Sequence, residues 1–208
     1  MPNGLRIRIF ADRQSGSPRP TLPVQGGLSS AKAALIAAYG ATLHRVDGFY
    51  ADALAASLAH AEQHSAHHVD AYDAEAVVAG QSTLGQELTE QIEPGRPVLV
   101  SCCGGGLFAG VSLALENRNP VVAVEPATAP SLARTLDAGQ VVDVEVSGIA
   151  VDSLGARRTG GIAVDVARRL RSTTLLVSDE AIEQAQRRLW STLRLAVEPR
   201  GATALAAP

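Results

Sequence analysis

The residues with the clearest chemical potential are three consecutive glycines, Gly104, Gly105 and Gly106, inside VLVSCCGGGLFAGVSLAL. An apolar, β-prone run precedes them and an apolar helical stretch follows. Glycine leaves no Cβ between the backbone N–H groups and an anion, and a helix N-terminus adds about half an elementary positive charge. The segment therefore reads as a phosphate cradle. The same residues also satisfy a second pattern, because Gly104, Gly106 and Ala109 spell GxGxxA and Glu125 follows 19 residues after Gly106. That is the spacing of a dinucleotide site. A tight strand-to-helix turn without a ligand is the third reading.

Other reactive groups are sparse. Of the 18 basic residues only Lys32 is a lysine, and Schiff-base chemistry requires an amine. His60 and His64 are spaced i, i+4 on a predicted helix with His67 and His68 beyond, but no cysteine or carboxylate completes a zinc set by spacing, so they read as a solvated helix end. Cys102 and Cys103 are adjacent, which suits neither an ordinary disulfide nor a CxxC motif. A reducing, cytoplasmic setting fits them.

The elements that must position these groups follow an α/β rhythm. Helices are expected over Ala31–Tyr39 (closed by Gly40), Ala51–Gln63, Ala76–Gln91, Leu107–Glu116, from Ser131, over Ile162–Leu170 and from Asp179 into Arg194. Strands are expected over Leu5–Phe10, Thr42–Val46, Pro97–Cys102, Val121–Glu125 and Thr173–Val177, with an extended piece near His67–Ala71. Asp179 is expected as the N-cap of the last long helix. The fold class is α/β, a twisted, mostly parallel sheet flanked by helices. Residues 11–30 are rich in Gly, Pro and Ser without periodicity and read as an irregular insertion. The boundary falls at a partial small α/β domain, 1–70, and a partial large domain, 71–208.

Composition sets outer limits. The chain has 208 residues, 46% hydrophobic and 19% charged, and a net charge of −3, without a basic tail or a basic stripe interleaved with aromatics. Those values exclude a wholly disordered chain and argue against nucleic-acid binding. No apolar run approaches the ~20 residues that span a bilayer, and the first residues do not read as a secretion signal. After Glu198-Pro199 a helix begins, yet ATALAA reads as half a helix with nothing to pack it, so the end is expected to be truncated.

Six stretches in order, SSAKAALIAAYGA, VDGFYADALAASLAHA, AEAVVAGQSTLGQEL, CCGGGLFAGVSLAL, VVAVEPATAPSLARTLDAG and VSDEAIEQAQRRLWSTLRLAVEPRGATALAA, carry a family resemblance. From about Ser30 to Pro208 the chain resembles the pyridoxal-phosphate-dependent serine/threonine dehydratases of fold type II. The resemblance implies that the backbone N–H groups of Gly104, Gly105, Gly106 and Leu107 wrap the cofactor phosphate. Cys103 stands where the family usually has a fourth glycine, so a side chain enters the tightest part of the loop. Tyr72 corresponds to an aromatic or amide beside the cofactor ring, with a half-buried core tyrosine as the alternative. Ser153, in VDSLGARR, matches the backbone that passes over the ring, and Glu198, in VEPRGATAL, matches a turn near the cofactor. Arg200 replaces a small residue there and is expected to turn to solvent. Glu125, Ala129 and Ser131 resemble a divalent-cation segment for Mg²⁺ or Ca²⁺, with Ser131 in place of a carboxylate; an exposed strand-end Glu125 is the alternative.

The family reaction is deamination of L-threonine or L-serine to a 2-oxoacid and ammonia. Its Schiff-base lysine and the substrate-carboxylate loop would precede the resembling residues, and its ring-nitrogen partner would follow Pro208. Lys32 aligns with a lysine of solvated character and is not expected to substitute. The expectations are therefore a dehydratase-like protein that holds pyridoxal phosphate weakly or not at all and is inactive alone, or a non-catalytic module, homo-oligomeric or completed by another chain. A nicotinamide-binding dehydrogenase is the remaining alternative.

Overall fold

The computed structural model describes residues 21–25, 30–47, 50–66 and 68–208. The expected strand Leu5–Phe10, residues 11–20 and 26–29 of the expected insertion, position 67 of the expected extended piece and the side chain of Lys32 lie outside the described residues. The chain divides into two compact units, 1–71 and 72–208.

In the first unit β1 (Thr21–Gln25) pairs in parallel with β2 (Thr42–Val46), with Thr21 opposite Thr42. Helices α1 (Ser30–Ala38) and α2 (Tyr50–His64) belong to the same unit. Gly40, at φ +83°, adopts the left-handed conformation that ends α1. One expectation needs correcting. The supposed loop 11–30 contains β1, a short strand with Pro23 in it, formed by tertiary pairing rather than by its own propensity. Residues 68–71, expected as an extended piece, join no sheet.

The second unit is built on a three-stranded parallel sheet ordered β3 (Val98–Ser101), β4 (Val121–Pro126), β5 (Thr174–Val177). Val98 faces Val121 and Ala123 faces Thr174 in register. β4 is central, and alternate residues feed opposite cores, as a parallel strand covered on both faces requires. Val121 and Ala123 join one core with Val100, Phe108, Val111 and Leu132. Val124 joins the other with Val177, Leu154, Ile182 and Ala202. The first core is covered by α3 (Glu75–Gln91), α4 (Gly106–Ala114), α5 (Ser131–Ala138) and α7 (Gly161–Arg169); the second by α6 (Val151–Leu154), α8 (Asp179–Leu193) and α9 (Pro199–Thr203).

Close packing of α3 on α4 depends on glycine. A Cβ on Gly110 would come within 2.7 Å of the Val78 carbonyl oxygen and the Ser82 nitrogen. At the start of α8 the cap is Ser178 rather than Asp179: the Ser178 hydroxyl accepts the Ala181 N–H at 3.2 Å. Asp179 lies one step inside, in the acidic first turn that the helix dipole favours. Helix α6 was not expected, because four residues carry too little periodicity to read. The tail is packed, with Ala202 and Thr203 fully buried; Ser101 organises it, donating to the Arg200 carbonyl at 2.9 Å while accepting the Ala204 N–H at 3.0 Å.

Candidate functional site

Parallel strands deliver their C-terminal ends to one rim of the sheet, and the glycine turn forms there, between β3 and α4. Gly105 sits at φ +91°, where L side chains are strained, and a Cβ on it would collide with the Ala163 methyl. Gly104 lies flat against the Tyr72 ring, and a Cβ on Gly106 would meet the Tyr72 carbonyl oxygen at 2.7 Å. The first helical bond of α4, from the Ala109 N–H to the Gly105 carbonyl, is 2.8 Å long. Among the described residues, no carbonyl or side chain accepts the N–H groups of Gly104, Gly105, Gly106 or Leu107. Four unpaired donors at a helix N-terminus are what a phosphoryl group needs.

Cys103 does not obstruct the turn. Its side chain packs into the core shared with Val124 and Leu154, and its Sγ accepts the Ala156 N–H at 3.1 Å. Cys102 is also buried; desolvation, reinforced by Glu125, holds its thiol well above the ordinary range and therefore unreactive. Tyr72 is half-buried, and its hydroxyl donates to the Arg158 carbonyl at 3.3 Å.

Glu125 is fully buried, not an exposed strand end. One carboxylate oxygen accepts the Leu132 N–H at 2.8 Å and lies 3.3 Å from the Ser131 hydroxyl, which also reaches the Cys103 carbonyl at 3.1 Å; the other accepts the Ala133 N–H at 2.8 Å. Burial raises its pKa to about 7, against the lowering effect of those hydrogen bonds. The structure does bring Glu125, Ala129 and Ser131 together, but the Ala129 carbonyl accepts the Ser131 N–H at 3.1 Å and both Glu125 oxygens serve the N-terminus of α5. A divalent cation does not fit this donor set. Nor is the Glu125 carboxylate available to a ribose, as the dinucleotide reading requires.

Ser153 is buried in α6 and its hydroxyl donates to the Ala150 carbonyl at 3.3 Å. Glu198 occupies the N-cap position of α9 without a side-chain capping bond and pairs with Arg200, Oε1 to Nη2 at 3.3 Å. Arg200 is therefore folded back onto Glu198 instead of being released to solvent. In the first unit His60 and His64 stack with ring centroids 4.0 Å apart, and His44 lies 6.0 Å from His60. Among the described residues no group of three His, Cys, Asp or Glu is arranged to hold a metal ion.

Several residues that shape the site had no sequence pattern to reveal them. Thr159 donates to the Ser131 hydroxyl at 3.0 Å, and the Gly160 N–H donates to the Gly104 carbonyl at 2.9 Å. Asp73 accepts the N–H groups of Gly161 and Ile162, at 2.9 and 3.0 Å, and so caps α7. Away from the turn, an open groove of about 840 Å³ runs along α5, lined by Thr128, Arg134, Asp137, Asp143 and Glu145. It shares no residue with the turn.

Known proteins resemble this arrangement. A family model described as "Pyridoxal-phosphate dependent enzyme" matches residues 4–208. An L-threonine ammonia-lyase of Geobacter sulfurreducens is 33% identical over 81% of this chain and 43% of its own length. A serine racemase of Oryza sativa subsp. indica is 35% identical over 62% of this chain and 39% of its own. The solved serine racemase of maize superposes with a TM-score of 0.85 and 27% identity, covering 91% of this chain and 58% of that one. The chain thus spans less than half the length of these two curated relatives.

Proposed function

Because this chain belongs to the pyridoxal-phosphate-dependent enzyme family, we propose that residues 72–208 form the cofactor-phosphate half of a threonine or serine ammonia-lyase-like protein. The observation that carries the reading is the set of four unpaired N–H groups at Gly104–Leu107 on the N-terminus of α4. When bound, pyridoxal phosphate supplies the electron sink for a substrate carbanion.

The chain's own residues bind and orient. The N–H groups of Gly104, Gly105, Gly106 and Leu107 hold the phosphate, and the dipole of α4 favours its charge. Tyr72 packs against Gly104 and Gly106, and Asp73 beside it is tied to the start of α7. The buried Cys103 and Ala163 keep water from the inner face of the turn. Lys32 is the one lysine in the sequence, and we assign it no part in the chemistry. Bond-breaking on threonine or serine depends on an amine outside this set of residues, and what the turn contributes is the hold on the phosphate.

Titration of the 208-residue chain with pyridoxal phosphate, followed by ³¹P NMR, tests the proposal. A saturable shift that is lost in Gly104→Asp, with no 2-oxoacid formed from L-threonine, is the expected result. An unshifted phosphorus resonance in folded protein refutes binding, and 2-oxoacid formed by these 208 residues refutes their dependence on an amine from elsewhere.

A further inference from the structure

The segment Ala156–Gly160 grips the glycine turn from the side opposite its free N–H groups. The Ala156 N–H donates to Cys103 Sγ at 3.1 Å, and the Gly160 N–H donates to the Gly104 carbonyl at 2.9 Å. Between them a hydroxyl relay runs from Thr159 Oγ1 to Ser131 Oγ at 3.0 Å and from Ser131 Oγ to the Cys103 carbonyl at 3.1 Å. From this geometry we infer that Cys103 and Thr159 are positioning residues that aim the N–H groups of the turn. The inference rests on the assignment of those N–H groups to a phosphate.

Peptide planarity supplies the physical link. In a trans peptide the carbonyl of one residue points opposite to the N–H of the next. Holding the Cys103 carbonyl down fixes the Gly104 N–H upward, and holding the Gly104 carbonyl does the same for the Gly105 N–H. The bond from Ala109 to the Gly105 carbonyl then sets the Gly106 N–H. Glycine has no side chain to oppose rotation, so without such restraints these three planes would sample many orientations.

Proton bookkeeping allows the relay. Each hydroxyl has one proton to give. Of the two acceptors within reach of the Ser131 hydroxyl, the Cys103 carbonyl at 3.1 Å is nearer than the Glu125 oxygen at 3.3 Å, and Glu125 already accepts the Leu132 and Ala133 N–H groups at 2.8 Å, so the relay assigns the Ser131 proton to the Cys103 carbonyl and the Thr159 proton to Ser131. Thr159 is 1% exposed and Ser131 is fully buried, so water does not compete for either link. Cys103, the departure from the glycine expected at that position, thereby becomes an attachment point that glycine could not provide.

Amide spectra decide the matter. In ¹H–¹⁵N spectra of the intact chain, Thr159→Val is expected to shift and broaden the Gly104 and Gly105 resonances and to weaken pyridoxal phosphate binding by about tenfold, the equivalent of one lost hydrogen bond. Thr159→Ser keeps the hydroxyl and is expected to restore both. Should Thr159→Val not fold, Cys103→Gly is read in its place, with Cys103→Ser as the restoring variant. Unchanged glycine amides in the folded hydroxyl-free or thiol-free variant overturn the inference. These spectra need no ligand, so a wild-type chain that ignores pyridoxal phosphate refutes the proposed function while the clamp is still judged by its amides.

Discussion

The carboxylate of Asp73 accepts the Gly161 N–H at 2.9 Å across 88 residues of sequence. With its second bond to Ile162, it caps the helix that presses Ala163 against Gly105. Gly160, the N-cap residue itself, has no side chain for that role. Asp73→Ala is expected to cost about 1–2 kcal/mol of stability, within the range of a lost N-terminal cap. Chemical denaturation measures it, and a variant as stable as wild type refutes the capping role.

Glu125 makes stability depend on pH in a defined direction. Burial raises its folded pKa from 4.5 to about 7. The native state thus binds the proton more tightly than the unfolded chain does. Its contribution is full below pH 4.5 and is lost as pH rises through 7, at up to about 1.4 kcal/mol per unit. Asp143 and Glu180 are shifted down and act below the ordinary carboxylate range. Near pH 6.5 the lowered pKa of His60 acts in the opposite direction. Comparing wild type with Glu125→Gln cancels that histidine term. The variant is expected to be less stable overall but to lack the decline between pH 5 and 7, and equal slopes would remove the assignment.

Divalent cations should leave the fold unchanged. Both Glu125 oxygens already accept N–H groups of α5, and the Ala129 carbonyl is taken by Ser131. Millimolar Mg²⁺, Ca²⁺ or EDTA is expected to leave Tm where it was, whereas a ligand bound only by the native state would raise it. A concentration-dependent rise in Tm with either ion would reopen the cation site.

Gly110 tests the helix contact behind the turn. A methyl there would meet backbone atoms of α3 at 2.7 Å, and backbone cannot swing aside as a flexible side chain can. Gly110→Ala is expected to destabilise the second unit by about 1–3 kcal/mol, despite alanine's better helix propensity. Gly80, on α3 with open space around its Cβ position, is the control: Gly80→Ala should be neutral or stabilising. Thermal melts of the pair separate crowding from propensity.

What the sequence revealed was local. Apolar periodicity and the run from Val98 to Leu115 were enough to place β3, the turn and α4 within one or two residues. The bonds that shape the turn join distant positions: Ala156 to Cys103, Thr159 to Ser131, Asp73 to Gly161. No spacing rule encodes such pairs. Glu125 illustrates the same limit, since a carboxylate at a strand end is ordinarily solvated and only the approach of α5 makes it a buried helix cap. Strand β1 was hidden because its partner, β2, begins only after an intervening helix.

Ser101 stands one residue ahead of the paired cysteines and is laced to Arg200 and Ala204. Loosening of residues 200–204 would therefore be felt about a hundred residues upstream, because the strand leading into the glycine turn would lose its tether. The steadiness of the turn thus leans on a hydroxyl that lies outside it.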